Sequence, residues 1–318
     1  MGDILRYRIP HQRIISLQGT FKKVISFKEK NGFVLTDFTK NEKFLFEESS
    51  TVAEYSFSKT KPLVASKEEY LAAARNFLQE IKDQGLSKAV FSRTKKITYV
   101  SNPRQLFEKL CELYPYAFVY LISSEHFGTW IGASPEKLLQ VKGNITSTIS
   151  LAGTKKSGDL SEWGEKESLE QEYVTNFIKE KLKKVAVDEV VQFEKEELLA
   201  GPVKHLATRF EFKNNEGEEM TIASSLHPTP AISGYPQDLA MNLIEKHESH
   251  QRSLYAGIIG ILSKNETQLF VNLRCAQLVD NQAYLYLGGG FTKDSVLEKE
   301  WQETENKAET LLKVFQNS

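Results

Sequence analysis

Gly288-Gly289-Gly290-Phe291-Thr292-Lys293-Asp294-Ser295, continued by Glu298-Lys299-Glu300-Trp301-Gln302-Glu303-Thr304-Glu305-Asn306-Lys307, is the stretch on which the reading of this chain turns. Ala283, Leu285 and Leu287 alternate along the residues before it, which predicts a strand delivering the chain to three glycines. Lacking β-carbons, glycines let backbone N–H groups approach a ligand closely, as an anion cradle requires. Ser295 with Glu298 three residues on reads as a capping box, and Trp301, Ala308, Leu311, Leu312 and Phe315 recur at helical spacing, so a long amphipathic helix is expected there. Glu300, Glu303 and Lys307 fall on its other face. Two carboxylates one turn apart beside an anion cradle suit a hard cation bridging the protein to an anionic ligand. The same pattern also fits a solvated acidic face.

The rest of the chain narrows the partner. With 318 residues and 40 % hydrophobic content it is globular, with enough apolar material for a large core. Lys and Arg (41) nearly cancel Asp and Glu (42), and no block of like charge occurs, so neither nucleic acid nor a membrane surface is expected as partner. Small-molecule chemistry is left. Cys111 and Cys275, two cysteines in apolar surroundings, speak against a disulfide framework or a zinc site and fit a reducing cytoplasm. The first residues lack the apolar core of a signal peptide, and no transmembrane run is present.

Residues 1–65 alternate short apolar stretches with Lys- and Glu-rich turns, which predicts a few strands and no chemistry. Ser66-Lys67-Glu68-Glu69 is a second capping box, opening a helix that stops at Gly85. Lys88 starts the next apolar strand. Partial burial there would depress its ammonium pKa and let it act as a base; alternatively it is a strand-end lysine reaching solvent. A helix over 102–112 and a buried strand over 116–122 lead to Gly132-Ala133-Ser134-Pro135-Glu136. Pro135 holds Ser134 extended, so Glu136 leaves a tight turn near apolar groups, either as a proton donor of raised pKa or as an exposed turn residue. A strand then ends in the small-residue turn Ala152-Gly153-Thr154, and Glu167 and Glu170 stand one turn apart at the start of the following helix. Two helices each opening on a Glu-x-x-Glu pair make a Mg²⁺ site, or a Glu-rich surface. Three prolines and a glycine over Ser224–Pro236 specify a rigid irregular segment carrying His227, which is a ligand contact or a structural histidine. A helix from Ile244, a strand over 254–260, a hairpin at Lys264-Asn265 and a returning strand over 270–276 follow. Arg274 within that last strand needs an anionic partner, for which a ligand carboxylate serves.

In order, Lys88 in Ser-Lys-Ala-Val-Phe-Ser-Arg, Gly132-Ala133-Ser134-Pro135-Glu136, Leu151-Ala152-Gly153-Thr154, Lys166-Glu167-x-x-Glu170 and His205-Leu206-Ala207-Thr208 form one set of motifs. Leu226-His227-Pro228-Thr229-Pro230-Ala231, Tyr255-Ala256-Gly257, Arg274-Cys275-Ala276 and the opening stretch complete it. Together they resemble the chorismate-utilising enzymes, and within them the isochorismate synthases, over about residues 66–318. The resemblance implies one α+β domain of two similar halves, with antiparallel β-sheets sandwiched and flanked by helices; residues 1–65, onto which the resemblance does not extend, are expected as a short β-rich part of the same domain. It implies Mg²⁺ held by Glu170 and Glu300, with Glu167 and Glu303 supporting through water. Lys88 matches the base that activates water for attack at C2 of chorismate, and Glu136 the acid that protonates the departing C4 hydroxyl. Arg274 and Tyr255 match residues holding the enolpyruvyl carboxylate, the amides of Gly289 and Gly290 and the Ala152-Gly153-Thr154 turn complete the cradle, and His227 and Ala231 line the ring. The product would serve menaquinone or siderophore synthesis, with no obligate glutaminase partner. Gln171, Phe291 and Val296-Leu297 depart from the family's usual His, Ile and Asp-Pro. The relatives that use ammonia (anthranilate and aminodeoxychorismate synthases) and the salicylate synthases generally carry a lysine where this chain has Gln237. A catalytically silent binding protein is the alternative of a different class.

Overall fold

The computed structural model describes residues 2–58, 60–185, 188–200, 203–264 and 266–315, so Asn265, expected in a hairpin, lies outside the described residues. In chain order the first half contains β1 (Asp3–Arg8), β2 (Ile15–Lys23), β3 (Gly32–Thr36), β4 (Lys43–Glu48), α1 (Lys67–Asp83), β5 (Lys88–Thr98), α2 (Pro103–Leu113), β6 (Phe118–Ser124), β7 (Gly128–Ser134), β8 (Lys137–Lys142) and β9 (Ile145–Lys156). The second contains α3 (Glu165–Lys184), β10 (Asp188–Gln192), β11 (Glu196–Ala200), β12 (Val203–Lys213), α4 (Glu219–Leu226), β13 (Gly234–Tyr235), α5 (Gln237–His247), β14 (Ile258–Leu262), β15 (Glu266–Val271), β16 (Cys275–Val279), β17 (Gln282–Phe291) and α6 (Leu297–Phe315).

All pairings between these strands are antiparallel, and they join end to end. From β10 and β11, both on β12, the path runs through β9, β8, β15 and β14. It continues through β3, β4, β2 and β1, and then through β6, β7, β16, β17, β5 and β13. The N-terminal strands therefore link two sheets. Those sheets face each other: Phe118 of β6 stacks on Phe270 of β15 with centroids 4.6 Å apart, although the two strands lie far apart along the path. Every residue of β6 is buried, because Phe118, Tyr120 and Ile122 point into the inter-sheet core while Val119 and Leu121 meet Phe107, Leu110 and Leu311 of α2 and α6. Burial on both faces is why its sequence is continuously apolar rather than alternating. α1 and α5 cover β5 through Tyr70, Phe77 and Leu243, while α3 and α4 bring Phe177, Ile178 and Met220 against Phe210 of β12. Cys111 and Cys275 are both free and buried. Among the described residues no helix is long and apolar enough to cross a membrane.

The Ser66 box forms as expected: Ser66 Oγ accepts from the Glu69 N–H at 3.2 Å and Glu69 Oε2 from the Ser66 N–H at 2.7 Å. The Ser295 box does not. Helix α6 starts at Leu297, which places Ser295 one position too early to cap it, and its hydroxyl instead donates to Glu300 Oε1 at 2.7 Å while Glu298 pairs with Lys67. The expected single strand over 270–276 is two. Asn272 leaves the ladder to accept from the Tyr120 hydroxyl and to donate to the Leu254 carbonyl, and Arg274 turns the chain with φ +48 between β15 and β16. Likewise the 254–260 segment becomes strand only from Ile258, α5 begins at Gln237 rather than Ile244, and residues 224–226 close α4 before the irregular segment starts.

Candidate functional site

The site begins where β5 and β17 run side by side, with Ser92 opposite Gly288, Phe91 opposite Gly289 and Val90 opposite Gly290. The glycines are thus residues of β17 itself. β16 pairs with β17 only as far as Leu285, so over Tyr286–Phe291 no described strand pairs with the other edge of β17. What the glycines allow is close approach of side chains: a β-carbon on Gly290 would stand 2.7 Å from Lys88 Cε, too near for the lysine to keep its place. Gly289 faces Glu300 on α6, and Gly288 lies below the Tyr255 hydroxyl. Tyr255 is buried against Tyr286, ring centroids 5.6 Å apart, and burial pushes its phenol pKa up.

Charge gathers over these glycines. Lys88, partly buried, donates from Nζ to Glu170 Oε1 at 2.5 Å, an ion pair across to α3. Arg274 donates from Nη1 to the Lys307 carbonyl at 3.1 Å, and Lys307 Nζ donates to the Gly288 carbonyl at 2.7 Å and pairs with Glu303 at 2.6 Å. Burial pulls the Lys307 ammonium below its usual range; Glu303 opposes this and the charges of Arg274 and Lys88 add to it. Burial also lowers Arg274. Cations that repel one another inside a protein mark a place for an anion. Glu136, on the turn between β7 and β8, accepts from the Thr229 hydroxyl at 3.2 Å; burial raises its pKa, against the pull of that hydrogen bond and of the nearby Lys88 charge. A carboxyl whose pKa is raised by burial therefore lies within reach of the Lys88 charge.

The four glutamates stand on α3 and α6. Glu170 pairs with Lys88, Glu303 with Lys307, and Glu300 accepts from Ser295, while Glu167 lies across Gly153 and Gly164. Among the described residues no three such groups converge as a closed metal cluster. Mg²⁺ does not require one, since it commonly takes one or two carboxylates plus water and substrate oxygens, and an all-oxygen donor set on two helices fits it.

Ala152-Gly153-Thr154 is not the expected turn: β9 runs through it to Lys156. Gly153 is left-handed, φ +66, at the point where the register with β12 slips between Lys204 and Leu206, and its carbonyl accepts from His205 Nδ1 at 2.8 Å. Any residue with a β-carbon would be strained there. The side chain of Thr154 lies outside the described set. Gln171, buried, donates to Ser150 and Thr208 and accepts from Thr175 at 2.8 Å, fastening the start of α3 to β9 and β12.

The irregular segment is held from below. Arg252 donates to the Ile232 carbonyl at 2.7 Å and the Val90 carbonyl at 3.0 Å, and meets both oxygens of Glu248, which accepts in turn from the Ser92 N–H. Both side chains are almost fully buried. Gln237 donates to the Pro228 carbonyl and accepts from Lys181, and Ala231 is half-buried within the segment. His227 donates from Nε2 to the Ala256 carbonyl at 2.6 Å; burial lowers its pKa to about 3, so it is neutral, with a buried Nδ1 that has no protein partner. Sequence reasoning missed Lys307 and Thr229 as site residues, and the Glu248–Arg252 clamp. Lys307 carried a signal, four residues after Glu303 on the same helix face; Thr229 lay unremarked inside a motif.

The chorismate binding enzyme model matches residues 20–316. Isochorismate synthase EntC of Escherichia coli (strain K12) is 34 % identical over 244 residues, 72 % of this chain and 62 % of that protein. Anthranilate synthase component 1 of Lactococcus lactis subsp. lactis is 32 % identical over 266 residues, 78 % of this chain and 57 % of that protein. The chain therefore spans roughly three-fifths of the length of these curated relatives. The solved structure of MenF, the menaquinone-specific isochorismate synthase of Escherichia coli, superposes with a TM-score of 0.83 at 21 % identity, covering 99 % of this chain and 89 % of that one, which shows a shared fold. With the family model spanning nearly all of its length, this chain belongs to the chorismate binding enzyme family.

Proposed function

We propose that this protein is a Mg²⁺-dependent isochorismate synthase of the cytoplasm that acts on chorismate and water without a glutaminase partner. The observation that carries the reading is Glu136, its pKa raised by burial, standing near enough to Lys88 to feel its charge. Exchanging a hydroxyl between ring positions needs one base and one acid. Lys88 takes a proton from the water that attacks C2; the ring double bonds shift, and Glu136 gives its proton to the C4 hydroxyl, which leaves as water. One water enters and one departs, so product and substrate have equal mass. Arg274, Lys307 and Tyr255 hold the carboxylates of the dianion beside the open edge of β17. Lys307 is thereby added to the residues expected from sequence. His227, uncharged, offers Nδ1 to a ligand hydroxyl. Glu170 and Glu300 would hold Mg²⁺, supported by Glu167 and Glu303, and the ion would neutralise the ring carboxylate. The resemblance to EntC supports water, rather than ammonia, as nucleophile.

Chelation tests this. Purified protein should convert chorismate to isochorismate only with Mg²⁺ present, because four carboxylates facing a dianion would repel it. Glu300→Gln should remove most turnover, and Glu303→Gln should cost on the order of ten- to a hundred-fold. Turnover that survives exhaustive chelation at neutral pH would sink the metal assignment. The alkaline limb of the pH–rate profile should follow Glu136: activity falls as pH rises through its raised pKa and the acid loses its proton. No limb should come from His227, which is already neutral.

A further inference from the structure

The three tryptophans have different settings. Trp130 is core, and Trp301 packs against the Arg93 guanidinium. Trp163 lies in neither core nor open solvent, on the strap over residues 157–164 that joins β9 to α3. Its indole N–H donates to Glu197 Oε1 on β11 at 2.6 Å, and Glu197 pairs with Lys204 of β12 at 2.9 Å. The Lys155 ammonium sits 4.9 Å from the ring centroid and that of Lys204 5.7 Å. Lys155 also donates to the Glu162 carbonyl at 2.6 Å, tying the strap back to the strand it leaves. Hydrogen bonding and cation–π attraction thus fix the indole from two sides.

The fixed ring has a target. A β-carbon on Gly153 would lie 3.2 Å from Trp163 Cζ3 and 3.1 Å from Glu167 Cβ, so indole and glutamate pack side by side on the same bare stretch of backbone. Beyond them, a β-carbon on Gly164 would lie 2.6 Å from Glu167 Oε2. The stem of Glu167 is confined between Trp163, Gly153 and Gly164. We propose that Trp163 is a positioning residue that holds the Glu167 carboxylate in place for Mg²⁺. This rests on the metal role given to Glu167 above. A glutamate held in advance loses less rotamer freedom when a cation arrives, and groups that orient a metal's ligands commonly change its affinity by about ten- to a hundred-fold.

Calorimetric titration of the full chain with Mg²⁺ alone, beside chorismate kinetics at low and saturating Mg²⁺, tests it. Trp163→Ala should weaken Mg²⁺ binding by about tenfold, with turnover restored by saturating Mg²⁺. Trp163→Phe, which keeps a ring on Gly153 and loses only the bond to Glu197, should weaken binding less. Unchanged Mg²⁺ affinity in Trp163→Ala overturns the inference alone, provided the wild type binds Mg²⁺ and converts chorismate. So does a turnover loss that tracks a lowered Tm and that saturating Mg²⁺ does not restore. A wild type that neither binds Mg²⁺ nor converts chorismate overturns this inference together with the function it rests on.

Discussion

Glu136→Gln and Lys88→Ala should each lower chorismate turnover by about a hundred- to ten-thousand-fold, the usual worth of a positioned general acid or base. The fold should survive both. Burial raises the Glu136 pKa, so ionising this group in the folded state is unfavourable. That cost is absent below the ordinary carboxylate pKa and grows as pH rises toward the folded value. Glutamine never ionises and can still accept from the Thr229 hydroxyl at 3.2 Å. Glu136→Gln should therefore melt no lower than wild type at pH 7–8 while being almost inactive. Steady-state kcat beside a melting curve checks this. Wild-type kcat in either purified variant, with a matched Tm, would remove that residue from the chemistry.

Breaking the Glu248–Arg252 clamp should give the largest loss of stability. Both partners are buried, with 3 % and 2 % of their side chains exposed, and removing one leaves the other charged and unpaired, at about 3–5 kcal/mol. For 318 residues, at about 2.1 cal/mol/K of unfolding entropy per residue, that corresponds to a Tm drop of about 5–8 °C. The pH dependence separates this from simple loss of packing. Burial works to raise the Glu248 pKa, but Arg252, helped by His250 and Ser92, outweighs it and the net shift is downward. The stabilisation is thus present above the ordinary carboxylate pKa and lost as pH falls through the lower folded value. In Arg252→Met the same carboxylate is buried without its cation, so its folded pKa rises. That variant should be furthest below wild type at neutral pH and should approach it in acid. A deficit constant from pH 4 to pH 8 would mean that packing, not the ion pair, is what Arg252 contributes.

Local signals in this chain were legible where one residue type has one use. The Ser66 box forms, and the apolar run around Phe118 is a buried strand. Glu136 after Pro135 sits in the turn its neighbour dictates, and of its two readings, proton donor or exposed turn residue, burial and the raised pKa favour the first. Reading failed where a residue's partner lies far away in sequence. Ser295 looked like a cap because Glu298 follows at the right spacing, yet its hydroxyl serves Glu300 and Glu298 serves Lys67, a residue of α1. Arg274 looked like a strand residue among apolar neighbours. Asn272, drawn out of the ladder by Tyr120 and Leu254, ends that strand first. The three glycines continue the strand that delivers them, and there they keep β17 narrow beneath Lys88, Tyr255 and Glu300. Pairings such as Lys88 with Glu170, 82 residues apart, depend on how the two sheets fold against each other, and no local pattern encodes them.

Water addition at C2 is most directly tested by incubating the protein with chorismate, Mg²⁺ and ammonium in water enriched with heavy oxygen, then resolving the products by mass. The expected product is isochorismate carrying one heavy oxygen, in a mixture with chorismate, with no pyruvate released and no nitrogen incorporated. Salicylate with stoichiometric pyruvate, an aminated product, or isochorismate without label would contradict the proposed reaction.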